Sequence, residues 1–309
     1  MIITLTMNPA VDKTAEVEKI EVGGLNRLKN VMMDAGGKGI NVSKTILSLG
    51  GNSIALGVVG GNTGDFIEKE MNKLGVQYDF MHIDGNTRTN LKVVDQGATL
   101  TEFNENGPSP NEKQLMMLSD KIEMMLQEDD ILVISGSVPS EVRKTYYYEL
   151  VKIAKEKKAK VILDADGILF KEGIKAIPTI IKPNRFELLQ YFKKDENTSE
   201  EEMISLAKSF LDKGVELVVV SNGKHGSYFI SKEAVYVVDA LKVEAHSSVG
   251  AGDAMVASLA YGVEKEMQLE ELICLCVACS SGAVMTKGTK PASKELINEL
   301  MKKVTYHKL

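Results

Sequence analysis

Short aliphatic and β-branched runs alternate with amphipathic stretches along most of the 309-residue chain. Short β-branched runs predict strands at 54–59, 131–135, 161–164, 179–182 and 217–221, of which 131–135 is continuously apolar up to its final serine. The opening Met1-Ile2-Ile3-Thr4-Leu5-Thr6 reads as a strand at the start of the fold. Helical periodicity predicts helices at 65–74, ending at Gly75, at 142–157, and at 200–213, closed by Gly214. Segments 227–230 and 234–238 read as a hairpin, and two long helices, 251–261 and 269–285, are expected to end the chain. Uncharged strands alternating with helices predict an α/β fold, a mainly parallel sheet covered on both faces.

Two regions break this rhythm. Residues 13–33, with Ala15 and Val17 between polar neighbours, and residues 90–103, with a turn at Asp95-Gln96-Gly97, alternate at the period of a half-buried strand. They predict a small separate β-sheet with one wet face and one apolar face, projecting from the main body. Such an apolar face needs a cover, either substrate or a partner subunit. No repeat or linker divides the chain, so 1–309 reads as one domain. The lysine-rich run 155–160 reads as a solvated helix end, and Met116, Met117, Met124 and Met125 as core or surface filling on a helix.

Composition narrows the function. The chain is 44% hydrophobic and 26% charged, with a net charge of −6. An acidic balance argues against nucleic-acid binding, which needs cations to neutralise phosphates. A small anionic substrate stays open, since a few local cations suffice for it. No apolar run is long enough to span a membrane, and the N-terminus lacks the pattern of a signal peptide, so a cytoplasmic protein is expected. Cys274, Cys276 and Cys279 read as small apolar residues of a buried helix; as metal ligands, Cys274 and Cys276 would point to different faces.

Two glycine-rich turns carry candidate chemistry. In Val249-Gly250-Ala251-Gly252-Asp253 a tight turn opens an apolar helix, whose free N–H groups and positive dipole end make an anion site. Asp253, in the first helical turn, reads equally as a base for a substrate hydroxyl or as a helix cap. In Ala35-Gly36-Gly37-Lys38-Gly39-Ile40-Asn41-Val42 the backbone can approach a ligand closely. There Lys38 offers a point charge for a phosphate, and Asn41 offers donors and an acceptor for sugar hydroxyls. A strand-to-helix turn with an exposed lysine is the equally weighted alternative. The Walker A loop and the protein-kinase motifs are absent. Gly57-Val58-Val59-Gly60-Gly61 lacks the dinucleotide fingerprint and reads as a turn.

These motifs, with Thr6-Met7-Asn8-Pro9-Ala10-Val11-Asp12, Thr87-Arg88-Thr89-Asn90, Ser135-Gly136-Ser137-Val138-Pro139, Lys182-Pro183-Asn184-Arg185-Phe186-Glu187 and Ser221-Asn222-Gly223-Lys224-His225-Gly226, follow one order. In that order the sequence resembles the PfkB-type sugar kinases of the ribokinase-like superfamily over nearly its whole length. The resemblance implies a three-layer α/β/α sandwich with a β-sheet lid, built here from about 13–33 and 88–106, and a homodimer paired through the lids. It implies ATP and Mg²⁺ as cofactors, Asp253 as base, and Gly250, Ala251 and Gly252 as the anion hole for the moving phosphoryl group. Asp12, Gly37 and Asn41 would hold the sugar. Lys38 and Arg88, with Arg27 and Ser137, would meet a phosphate already on it. Asn184 and Glu187 would lie near the magnesium and the ATP phosphates, Glu187 acting through water. Ser221, Gly223 and Gly226 would belong to the nucleotide loop, and 286–291 to the adenine side. His225 reads as a solvated loop residue. The cation set in an acidic chain suits a phosphorylated sugar. Lys38 within the glycines resembles the branches acting on fructose 1-phosphate and on tagatose 6-phosphate more than those acting on fructose 6-phosphate. Thr101-Glu102-Phe103-Asn104 with Gly107, and Lys182-Pro183-Asn184-Arg185, resemble the fructose 1-phosphate branch; tagatose 6-phosphate is the alternative acceptor. A non-catalytic sugar-phosphate sensor is the alternative from another class, opposed by the intact glycine turn and Asp253. Ser248 stands where many relatives have threonine, with the hydroxyl retained.

Overall fold

The computed structural model describes residues 1–97, 99–246, 249–286 and 288–309; Ser248 lies outside them. The strands, in chain order, are β1 (Ile2–Thr6), β2 (Ala10–Glu16), β3 (Lys29–Gly36), β4 (Ile54–Val59), β5 (Gln77–His82), β6 (Arg88–Val94) and β7 (Leu100–Asn104). They continue as β8 (Ile131–Ser135), β9 (Lys160–Asp164), β10 (Ile180–Ile181), β11 (Leu217–Ser221), β12 (Ser227–Ile230), β13 (Val235–Val238) and β14 (Tyr306–Lys308). The helices are α1 (Lys38–Ser48), α2 (Gly61–Leu74), α3 (Glu112–Met125), α4 (Tyr146–Glu156), α5 (Gly167–Gly173), α6 (Arg185–Tyr191), α7 (Glu200–Leu211), α8 (Ala251–Glu264), α9 (Leu269–Val284) and α10 (Lys294–Met301).

A ten-stranded sheet has the order β14-β13-β12-β11-β10-β9-β8-β1-β4-β5. From β5 to β11 the neighbours are parallel; β12, β13 and β14 add on antiparallel. Strand β8 shows why these runs are apolar throughout. Leu132 and Ile134 pack with α3, α4 and α7 through Leu118, Tyr147 and Phe210. Ile131 and Val133 face the other way, onto Ile46 of α1, Val256 of α8 and Ile273 of α9. Helices on both faces leave no wet side for a polar residue. Among the described residues no helix is long and apolar enough to cross a membrane.

Several boundaries differ from expectation. Residues 57–61, read as a turn, are the end of β4 and the first residue of α2. Helix α4 starts at Tyr146 rather than 142. The chain does not end on two helices: α10 follows, capped by Ser293, and β14 joins β13 at the sheet edge. Strand β14 is three exposed residues long, too short to give a periodic signal. Cys276 and Cys279 are buried on α9, as read from the sequence, while Cys274 is only partly buried.

The two irregular regions form a four-stranded sheet of order β3-β2-β6-β7. Its base packs on the main body through Val11 and Ala35, which join Ile40 and Ile67 in one apolar cluster. Apolar and polar residues do not segregate cleanly. Val31 and Met33 lie on one face and Met32 on the other, and all three are exposed, as are Leu100 and Phe103.

Candidate active site

Strand β1 is where the sheet reverses its winding, since β4 and β5 lie on one side of it and β8 onward on the other. In open α/β sheets ligands bind at the carboxyl ends of the strands at such a point. There the ends of β1, β8 and β9 meet the starts of α1 and α8. Both helices begin in conformations that favour glycine. Gly250, the N-cap of α8, has φ +85°, and Gly37, the N-cap of α1, has φ +115°. A Cβ on Gly37 would come within 2.7 Å of Thr6 Cγ2.

Asp253 is the third residue of α8 and is 8% exposed. Gly250, without a side chain, occupies the N-cap position of this helix, and Asp253 lies three residues further in. Its Oδ2 accepts from Asn41 Nδ2 at 2.8 Å, a contact across 212 residues of sequence. Burial raises the Asp253 pKa, opposed by Lys38 and the Asn41 bond. Lys38 Nζ lies 3.2 Å from Asp164 Oδ2, and Lys182 Nζ lies 3.2 Å from Asp164 Oδ1. Burial alone would push the Asp164 carboxyl up, but Lys182 and Lys38 together hold it below its ordinary range. Asp164 chiefly raises the Lys38 pKa, so the ammonium stays charged. Lys182 also flanks the glycine turn: a Cβ on Gly252 would stand 3.6 Å from its Nζ. The turn Gly250-Ala251-Gly252, the positive end of α8 and two lysines can stabilise negative charge beside a carboxylate able to take a proton.

Next to this group lies a cleft of about 200 Å³ lined by Thr6, Asn8, Gly37, Lys38, Arg88, Ser135, Gly136, Ser137 and Asp166. Four of the sequence-derived candidates, Gly37, Lys38, Arg88 and Ser137, thus converge. Arg88 donates from Nη2 to Asn8 O at 3.1 Å and, more weakly, from Nη1 to Glu105 O at 3.4 Å. Buried polar atoms of the cleft residues lack partners, namely Thr6 Oγ1, Ser135 Oγ and Arg88 Nε, as do Oδ1 of Asn41 and of Asn90, which bond Asp253 and Asp12 through their Nδ2. Native proteins rarely leave such atoms unpaired, so their clustering suits a polar ligand. On the lid, Asp12 accepts from Asn90 Nδ2 at 3.0 Å and meets Lys92 Nζ at 3.4 Å. Arg27 is not among the cleft residues; it borders a separate hollow with Glu21, Leu25 and Lys29 at the turn between β2 and β3.

Asn184 and Glu187 form a reciprocal capping box on α6: Asn184 N donates to Glu187 Oε2, and Glu187 N to Asn184 Oδ1, both at 2.8 Å. Burial raises the Glu187 pKa. Asn184 bridges to Ser221 at the end of β11. Gly223 and Gly226 shape the following turn, where Asn222 N donates to Gly226 O at 2.9 Å. Beyond it, Lys224, His225, Leu241, Val243, Met285 and Leu296 border a larger cavity of about 850 Å³. His225 is exposed, as read from the sequence. Among the described residues, the one cluster with three metal-ligating side chains, Asp65, Glu68 and His82, sits on α2 and β5, outside the cleft.

Sequence reasoning overlooked Asp164, Lys182, Thr6, Asn8 and Ser135 as site residues. Their signal was position: each ends a predicted strand or follows one within two residues, where an α/β sheet presents its ligands.

The sequence profile described as "pfkB family carbohydrate kinase" matches residues 2–296. The 1-phosphofructokinase of Bacillus subtilis (strain 168) is 34% identical over 309 residues, covering 100% of both chains. That of Borreliella burgdorferi is 34% identical over 286 residues, 92% of each. The crystal structure of phosphofructokinase-2 from Escherichia coli in complex with substrates and products superposes with a TM-score of 0.93. It has 28% sequence identity and covers 98% of both chains.

Proposed function

Since the chain belongs to the pfkB family of carbohydrate kinases, we propose that it transfers the γ-phosphoryl group of ATP to the 6-hydroxyl of fructose 1-phosphate, giving fructose 1,6-bisphosphate and ADP. The observation that carries this reading is the buried Asp253 carboxylate, held by Asn41 at the start of α8 beside two lysines that share Asp164. The curated relatives named 1-phosphofructokinase support fructose 1-phosphate over tagatose 6-phosphate.

In this mechanism the sugar lies between the lid and α1. Asp12, Gly37 and Asn41 hold its hydroxyls, while Lys38, Arg88 and Ser137 face the phosphate it already carries; Arg27 stands apart in this chain. The far-end hydroxyl points at Asp253. As its oxygen attacks the γ-phosphorus, the bond from phosphorus to the ADP oxygen breaks and the hydroxyl proton passes to Asp253. Backbone N–H groups of Gly250, Ala251 and Gly252, with Lys182 alongside, receive the charge on the moving group. Ser221, Gly223 and Gly226 border the nucleotide, and Leu241, Val243, Met285 and Leu296 offer an apolar slot for its base.

Magnesium suits this donor set, which offers isolated carboxylates rather than a protein cage, since an ion that retains much of its hydration would need few protein ligands. Bound with ATP, it supplies neutralisation of phosphate charge. Glu187 would hold it through water, in keeping with one carboxylate oxygen already committed to capping α6.

The lid supports a homodimer. Val31, Met33 and Phe103 expose apolar surface on one face there, and a second lid would cover it.

The test is a side-by-side kcat/KM with Mg-ATP for fructose 1-phosphate, tagatose 6-phosphate and fructose 6-phosphate. Fructose 1-phosphate is expected to lead. A higher value for tagatose 6-phosphate moves the acceptor, and no turnover with any of them sinks the reading and revives the sensor.

A further inference from the structure

Helix α1 carries Lys38, Asn41 and Lys44 at three-residue spacing, which places side chains along one side of a helix. The first two end on Asp164 and Asp253. The third has no part in the chemistry above, yet it is 6% exposed. Its Nζ donates to Ala35 O of β3 at 2.8 Å and to Thr289 Oγ1 at 3.1 Å. Keeping a lysine buried is costly unless its hydrogen bonds are made. Burial pulls its pKa down, while Asp34 and Asp12 pull it back up.

Both partners bear on the site. Ala35 follows Asp34, which pairs in register with Asp12 on the sugar-facing side of the lid. Thr289 stands behind the glycine turn: a Cβ on Gly250 would lie 4.0 Å from Thr289 Cα. The preceding Gly288 packs against the lid as well, since a Cβ there would lie 3.2 Å from Asp34 Oδ2. One ammonium group therefore joins the lid strand, α1 and the segment backing the anion turn.

We propose that Lys44 is a positioning residue, which through Thr289 sets the glycine turn relative to the lid strand that closes on the sugar. The inference rests on the reading of this cleft as the phosphoryl-transfer site.

The experiment compares the steady-state kinetics of wild type with Lys44→Met, Thr289→Val and the double variant. Lys44→Arg and Thr289→Ser are the conservative partners. Both disruptive changes are expected to lower kcat by between about tenfold and a hundredfold, as a small misplacement of reacting groups does, with both KM values nearly unchanged. The double variant should be no slower than the worse single one, since the two residues act through one contact. Lys44→Arg and Thr289→Ser should recover most of the rate. An unchanged kcat, effects that multiply in the double variant, or a change confined to KM would overturn the proposal. If Lys44→Met does not fold, Thr289→Val against Thr289→Ser decides the question by the same kcat and KM criteria. A wild type with no kinase activity would overturn the site reading and this inference together; an active wild type with indifferent variants overturns this inference alone.

Discussion

Replacing Asp253 with asparagine separates the base from everything else at the site. The amide has the same shape, and its oxygen can still accept the Asn41 Nδ2 hydrogen bond now made at 2.8 Å. What is lost is the charge and the ability to take a proton. General-base assistance is worth about 10²–10⁴-fold, or about 3–5 kcal/mol of barrier, so kcat should fall by that factor. Nucleotide affinity should change little. The same substitution should raise stability. Burial lifts the folded pKa of Asp253 above 3.8, so the folded protein binds this proton more tightly than the unfolded chain. The resulting penalty is complete above the folded pKa and vanishes as pH drops below 3.8. At neutral pH the asparagine variant escapes it and should melt higher. In wild type, kcat/KM should decline as pH falls through the raised pKa of Asp253, and that limb should be missing from the residual activity of the variant. Rapid-quench kinetics, nucleotide titration calorimetry and thermal unfolding of the two proteins provide the assay. A variant with nearly normal turnover, or one that melts lower than wild type, would refute the reasoning.

Lys182→Met leaves the 2%-exposed Asp164 with Lys38 alone, and breaking a buried pair in this way costs about 3–5 kcal/mol, measurable by urea unfolding. Because the folded pKa of Asp164 is depressed, its stabilisation is present above 3.8 and fades as pH falls through the folded value; Asp164→Asn should flatten that acid limb in a pH series of melts. Lys38→Ala and Arg88→Ala should each raise the KM for the sugar phosphate by about tenfold to a hundredfold, the worth of a hydrogen bond to a charged group; unchanged KM in both removes the phosphate site. Met33 and Phe103 lie on one face of the lid through the register Met33–Lys13–Leu91–Phe103. Glutamate at both positions should yield a monomer by light scattering, and an unaltered mass would exclude lid pairing.

Local pattern alone sufficed for much of this protein. Uncharged runs such as 131–135 had to lie between two helix layers, because each face of the strand meets apolar side chains. The broken rhythm at 13–33 and 90–103 marked a second sheet, and glycines before α1 and α8 marked two helix starts able to bind anions. Local pattern did not say what Asp253 does. A carboxylate in a first helical turn is as good a cap as a base, and only the fold brings Asn41, 212 residues away in sequence, onto its Oδ2. The same holds for Asp164, which periodicity reads as a strand end and the tertiary structure makes the shared partner of two lysines. It holds too for Lys44 and Thr289, joined across 245 residues. Periodicity reports which face of an element is dry. Which side chains meet at the ends of parallel strands depends on the crossover connections that set their order, and those are decided by packing of the whole chain.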